Sequence, residues 1–314
     1  MTVRRLRRSA HSITIRQRND LDQQSLITVL VPIFLIEKIT DYEMTFAAMM
    51  VSVDFESASK SRIALAAELA ARFNTLLIGV AGWPLLKGRE KAPATQMSTD
   101  GSAEWVSNEL QKLEMMFRAI ASGITNEVEW RSSMDFPREV IPKEARGADL
   151  IIIGRDFLPG DVYHTYDPGT IILAAGRPVL VVPQQIDRLE ASRILIAWKD
   201  TREARRAVRD ALPFLKTAKA VSIAVAKPPV SEDTDRQIAD VARYLERHHV
   251  SVGQRISAVA SEDEEALLLD IAKEHHVDLI VAGAYGRTRL SEWIFGGVTR
   301  RLLLNSPVTC MFSN

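Results

Sequence analysis

A single cysteine, Cys310, among 314 residues excludes an internal disulfide, so burial and hydrogen bonding must hold the fold without a covalent staple. Its place in an apolar C-terminal stretch marks it as a small buried hydrophobe and fits a reducing, cytoplasmic setting. Net charge is absent as well. Forty Lys and Arg balance forty Asp and Glu, which leaves no overall field to draw the chain onto nucleic acid or an acidic membrane. The apolar run 26–36 has only eleven residues, whereas a membrane-spanning helix needs about 20. No GxxxxGK[ST], no GxGxxG after the first strand and no GxSxG are present, so P-loop, dinucleotide-binding and hydrolase-elbow chemistries have no carrier. The pairs His248-His249 and His275-His276 cannot share a helix face, which speaks against a metal site. No nucleophile or base is placed by any motif, and no catalytic residue is assigned.

What is present is alternation. The length is large for one core and comfortable for two. Residues 1–43 differ in kind, with Arg4, Arg5, Arg7, Arg8, Arg16 and Arg18 ahead of the apolar run. A secretory signal is one reading, but Glu37-Lys38 follow where a small-residue cleavage pattern belongs. A loosely attached extension is another. The preferred reading is that the natural start is Met44, because the fold pattern begins directly after it. Residues 1–43 are therefore expected to be disordered or outside the fold.

From Met44 onward, apolar runs at 47–53, 76–81, 127–131, 149–153 and 178–182 predict strands. Between them, residues such as Ile63, Ala66, Ala67, Ala70 and Phe73 recur at helical spacing. A polar stretch, 184–191, reads as a linker. The order then repeats, with strands over 193–197, 220–226, 251–257, 279–282 and 308–312 and helices over 203–215, 234–249 and 264–275. Gly154 to Gly283 and Pro178 to Pro307 are each 129 positions apart, and ADLIIIG pairs with VDLIVAG. An internal duplication of a domain-sized unit follows, with units at 44–184 and 192–314. Strands alternating with helices require right-handed crossovers and a mainly parallel sheet covered on both faces.

The most informative stretch is DLIVAGAYGRTRLSEWIFGGVT, from Asp278 to Thr299. A strand ends at Ala282 and Gly283, further glycines stand at Gly286, Gly296 and Gly297, and a helix begins at Val298. Glycine lets backbone N–H groups approach a ligand closely, and a helix N-terminus adds unpaired donors and the positive end of its dipole. Phosphates suit such a place. The spacing, glycine, two residues, glycine, nine residues, glycine, resembles the universal stress protein family, whose nucleotide-binding members follow it with Ser or Thr. Here Gly297 occupies that fourth position. The resemblance covers the chain from Met44 to Asn314. It implies two flavodoxin-like (adenine nucleotide alpha hydrolase-like) α/β domains in tandem, packed as an intramolecular pair with room for a homodimer of such pairs. It also implies an ATP-type ligand and a role in stress response.

The halves retain different parts of that site. In the first, Asp54 matches the acid expected to meet the base or ribose of a nucleotide, but the loop GRDFLPGDVYHTYDPGT keeps only Gly154. Asp167 and Pro168 fall where Gly296 and Gly297 lie in the second half. An aspartate repels phosphate and proline has no N–H to offer, so the first site is expected to be degenerate. In the second half the loop is nearly complete, but Lys199 replaces the acid and Asp200 comes one place late. Asp200 and Thr201 also suit a helix N-cap. The expected binding set is Asp200, Ala282, Gly283, Gly286, Gly296, Gly297 and Val298. Loss of the hydroxyl at Gly297 removes a bond to a charged group worth about 1.5–3 kcal/mol, a weakening of roughly tenfold to a hundredfold. The rival reading, from a different class, is a scaffold that no longer binds nucleotide and acts through its surfaces.

Overall fold

The computed structural model describes residues 12–16, 26–30, 45–85, 102–125, 127–155, 165–226, 232–258, 264–284 and 297–314. Met1–Met44 and Thr45–Asn314 are separate compact units. In the first, β1 (Ser12–Arg16) and β2 (Leu26–Leu30) pair antiparallel, with Ser12 opposite Leu30. The extension therefore contains a hairpin-like pair of strands in a region expected to be disordered or outside the fold.

The second unit runs β3 (Ala48–Ser52), α1 (Ser59–Phe73), β4 (Leu76–Gly82), α2 (Ala103–Ala121), β5 (Val128–Ser133), α3 (Pro137–Glu144), β6 (Leu150–Gly154), α4 (Pro168–Ala175) and β7 (Val179–Val182). It continues with β8 (Arg193–Ala197), α5 (Arg202–Asp210), α6 (Leu212–Thr217), β9 (Ala220–Ala226), α7 (Glu232–Arg247), β10 (Val252–Ala258), α8 (Glu264–Glu274), β11 (Leu279–Gly283), α9 (Gly297–Asn305) and β12 (Thr309–Ser313). All ten strands form one sheet in the order β10-β9-β8-β11-β12-β7-β6-β3-β4-β5. Within each half the pairing is parallel, and β12 meets β7 antiparallel, with Phe312 opposite Val179 and Cys310 opposite Val181. Each half is thus doubly wound, and its strand order reverses between its first and fourth strands, at β3/β6 and β8/β11.

Sequence chemistry accounts for the elements. The run Leu150–Gly154 is buried at every position, as a parallel strand covered by helices on both faces must be. α1 ends because Asn74 takes a left-handed conformation, φ 49°, and its N–H returns to the carbonyls of Ala70 and Ala71. The predicted helix 203–215 is two helices: Pro213 has no N–H to continue the ladder, so the chain turns at Ala211 and restarts. Equivalent aspartates brace the two first strands. Asp149 accepts from the N–H groups of Ala47 (2.7 Å) and Ala48 (3.2 Å), and Asp278 from those of Ser192 (2.8 Å) and Arg193 (2.9 Å).

Two apolar layers sandwich the sheet, and each draws residues from both halves. In one, the Phe46 and Phe214 rings lie 5.2 Å apart and tie the start of the first half to α6. The stretch read as a polar linker is docked rather than free: Leu189 and Ala191 are buried, and Arg72 of α1 donates to the carbonyls of Leu189 (3.3 Å) and Glu190 (2.7 Å). Among the described residues no helix is long and apolar enough to cross a membrane.

Candidate functional site

The two crevices, at β3/β6 and β8/β11, are built differently. In the first half the crevice is filled from within. Arg62 lies on the buried stripe of α1, four positions before Ala66, and its side chain is only 2% exposed. Its Nε donates to the Ser52 carbonyl (3.0 Å), and its Nη2 pairs with the Asp54 carboxylate. Burial works against the guanidinium charge, but Asp54, with Tyr166 and Glu56, outweighs it and holds the pKa above the usual arginine value. The Tyr166 hydroxyl shares a 2.7 Å hydrogen bond with Ser52 Oγ and accepts from the Gly154 N–H at 3.3 Å. Burial pushes this phenol up to about 12.

Gly154 is glycine for this arrangement, since a Cβ there would collide with the Arg62 guanidinium. The N-terminus of α4 is closed as well. Asp167 caps it, its Oδ2 accepting from the Thr170 N–H at 3.0 Å, and Pro168 opens the helix without an N–H. A cleft of about 290 Å³ remains beside this cluster, lined by Asp54, Phe55, Trp83, Leu113 and Tyr166 among others. Sequence reasoning placed Asp54 and the Asp167-Pro168 obstruction but missed Arg62 and Tyr166. The available signal was a charged residue in register with the apolar stripe of α1.

Among the described residues of the second half, no arginine takes the place that Arg62 has in the first. Arg62 stands fourteen positions after the start of β3, and the position fourteen after the start of β8 is Ala207. The helix itself comes closer instead: a Cβ on Gly283 would collide with the Ala204 N–H and stand 2.7 Å from the Glu203 carbonyl carbon. Thr201 caps α5, its Oγ1 accepting from the Ala204 N–H at 3.2 Å. Glu203 is buried beside it. Burial alone would raise its pKa, but hydrogen bonding from Arg202 leaves it lowered.

The expected binding residues are distributed as follows. Ala282 is buried in β11, opposite Ala197 on one side and Phe312 on the other, so its side chain belongs to the core. Gly283 ends the strand under the start of α5, and Gly297 and Val298 open α9. Asp200 is exposed and pairs with Arg205 of its own half at 2.5 Å, while the cap falls to Thr201. Gly286 and Gly296 lie outside the described residues.

Residues 190–313 match the model of the Universal stress protein family. No curated protein matches. Among solved structures, a universal stress protein from Archaeoglobus fulgidus DSM 4304 is similar over 85% of this chain and 98% of its own, with a TM-score of 0.66 and 14% identity. A functionally unknown protein from Pseudomonas aeruginosa PAO1 is similar over 85% of this chain and 92% of its own, with a TM-score of 0.53 and 17% identity. A universal stress protein from Archaeoglobus fulgidus in complex with dAMP covers 44% of this chain and 98% of its own, with a TM-score of 0.33 and 19% identity. At such identities the first two establish the fold, and they extend it across the first half, which the family model does not reach.

Proposed function

We propose that this chain is a tandem universal stress protein, with units at 44–184 and 192–314, that acts in a cytoplasmic stress response and binds an ATP-type nucleotide weakly in its second half. The phosphates would rest on the backbone of Gly283, Gly286, Gly296 and Gly297, at the start of α9. The observation that carries this reading is the contrast between the two fourth-strand loops. In the first half the helix after the loop is capped by its own carboxylate, Asp167, and opens with Pro168. At the same places, 129 positions on, the second half has Gly296 and Gly297, which bring no competing carboxylate and keep both N–H groups. Asp200 is held by Arg205, so the base end would be fixed less firmly than the phosphates.

Calorimetric titration of ATP tests the assignment. Gly296→Val puts a branched side chain where backbone and phosphate must approach, and binding should disappear while the thermal melt stays close to that of the parent protein. Asp54→Asn, in the closed half, should leave the affinity unchanged. Affinity that survives Gly296→Val and falls only with Asp54→Asn would place the ligand in the other half. The second reading, a scaffold without nucleotide, is favoured by the missing hydroxyl at Gly297, and it is the outcome if ATP produces no heat with the parent protein.

A further inference from the structure

A cleft in the second half shares Asp200 with the expected nucleotide-binding set but is otherwise lined by residues that the nucleotide reading does not use. It lies between α5 and α7, beside the end of β8, has a volume of about 510 Å³, and is lined by Trp198, Val208, Arg209, Val241 and Tyr244, with Asp200 and Arg205 at one edge. In the first half the corresponding helices, α1 and α2, pack directly on each other, whereas α5 and α7 meet at most marginally. The volume falls within the roughly 300–1,000 Å³ typical of small-molecule sites, and so does the character: apolar and aromatic walls with a few polar groups.

The polar groups around it can be sorted by what they already hold. Asp200 is paired with Arg205 and Asp240 with Arg243. Asp210, next in sequence to Arg209, accepts from Ser313 Oγ at 2.8 Å. Arg209 is left, an exposed guanidinium with no ion pair among the described residues. Trp198 is a second uncommitted donor: the residue is 7% exposed and its Nε1–H is buried with no acceptor among the described residues. The ring of Tyr244 also lines the cleft, and its centroid lies 4.6 Å from that of His248. What this cleft has in excess is aromatic surface and hydrogen-bond donors, one of them cationic. A buried donor without a partner is unfavourable, and an acceptor entering beside it relieves that cost.

We propose that this cleft binds a small organic anion with a planar apolar body, of the aromatic carboxylate class, whose ring lies against Tyr244 and whose carboxylate pairs with Arg209 and accepts from the Trp198 Nε1–H. Trp198, Arg209 and Tyr244 have no role in the nucleotide reading, so the proposal does not depend on it.

The test uses the full chain and 2-naphthoate, followed by calorimetry and by tryptophan fluorescence. Saturable one-to-one binding is expected. Arg209→Gln, an exposed position at which folding should be preserved, should weaken it about tenfold. Gln237→Trp, which puts an indole into the mouth of the cleft, should abolish it, and Gly296→Val should leave it unchanged. The neutral analogue 2-naphthalenemethanol should bind about tenfold more weakly than the acid to the parent protein and equally to both the parent and Arg209→Gln. Circular dichroism and thermal melts of each variant establish that it is folded. The proposal is overturned by an absence of saturable 2-naphthoate binding, by equal affinity for the acid and the alcohol, by an unaltered affinity in Arg209→Gln, or by binding that ATP displaces and Gly296→Val removes.

Discussion

Arg62 shows how one side chain can close a site. A buried guanidinium is tolerable only with its charge compensated and its donors used, and Ser52, Asp54 and Ser59 supply both. Its position against Gly154 removes the space that a phosphate would need. Arg62→Met should keep the volume and lose the charge, leaving the one-fifth-exposed Asp54 carboxylate without its partner. Breaking a buried pair in this way costs about 3–5 kcal/mol, and the partial exposure of Asp54 puts the expected loss near the lower end, read from urea unfolding. The double variant Arg62→Met, Asp54→Asn should recover part of it. A loss below about 1 kcal/mol in the single variant would mean that water already reaches the pair.

Helix starts are the elements on which the proposed functional asymmetry rests. α4 and α9 occupy matching places after the fourth strand of each half, but α4 carries its own anion at the N-cap. Asp167→Ala should cost about 1 kcal/mol through loss of the cap, measured as a lower urea midpoint with an unchanged slope. Asp167→Gly should cost only a few tenths of a kcal/mol by the cap scale. Neither change should create ATP binding in the first half, because Pro168 still lacks its N–H and Arg62 still fills the crevice. Appearance of a second ATP site in Asp167→Gly would show that the carboxylate alone was the obstruction.

The whole molecule joins two doubly wound halves into one sheet through β7 and β12, so burial along that seam is shared. Its stability should fall at alkaline pH for an identifiable reason. Burial raises the Tyr166 phenol from 10.0 to about 12 and the Cys310 thiol from 9.0 to about 11. Both groups keep their protons longer in the folded chain than in the unfolded one. Their contribution is therefore fully present below pH 9 and is lost as pH rises through 11 and then 12, by roughly 2–3 kcal/mol for each group. Melting temperatures between pH 8 and 12 should decline steeply in the parent protein and less steeply in Tyr166→Phe and in Cys310→Ala. Equal slopes in all three would mean that neither group is shielded. The separation of Met1–Met44 from Thr45–Asn314 gives a second expectation at this scale. The fragment Thr45–Asn314 should melt within a few degrees of the full chain, and a large loss of soluble yield would show that the extension packs onto the core.

Alternation of apolar runs and helical stripes was enough to indicate an α/β fold and to place its strands to within one or two residues, because burial on both faces of a parallel sheet imposes unbroken runs such as Leu150–Gly154. The cap at Thr201 was equally legible, since a cap acts over three residues, and so were the charge of Asp167 and the missing N–H of Pro168, but that Asp167 caps α4 came from the structure. Tertiary structure decided the rest. The partnership of Arg62 with Asp54, Tyr166 and Gly154 spans more than a hundred positions in the chain, and nothing in the local pattern sets which buried charge meets which acid. The same holds for the cleft between α5 and α7: two helices adjacent in the sheet order can pack closely or diverge. Here the divergence leaves Trp198 and Arg209 lining open space, a relation that depends on how whole elements pack and not on the sequence of either one.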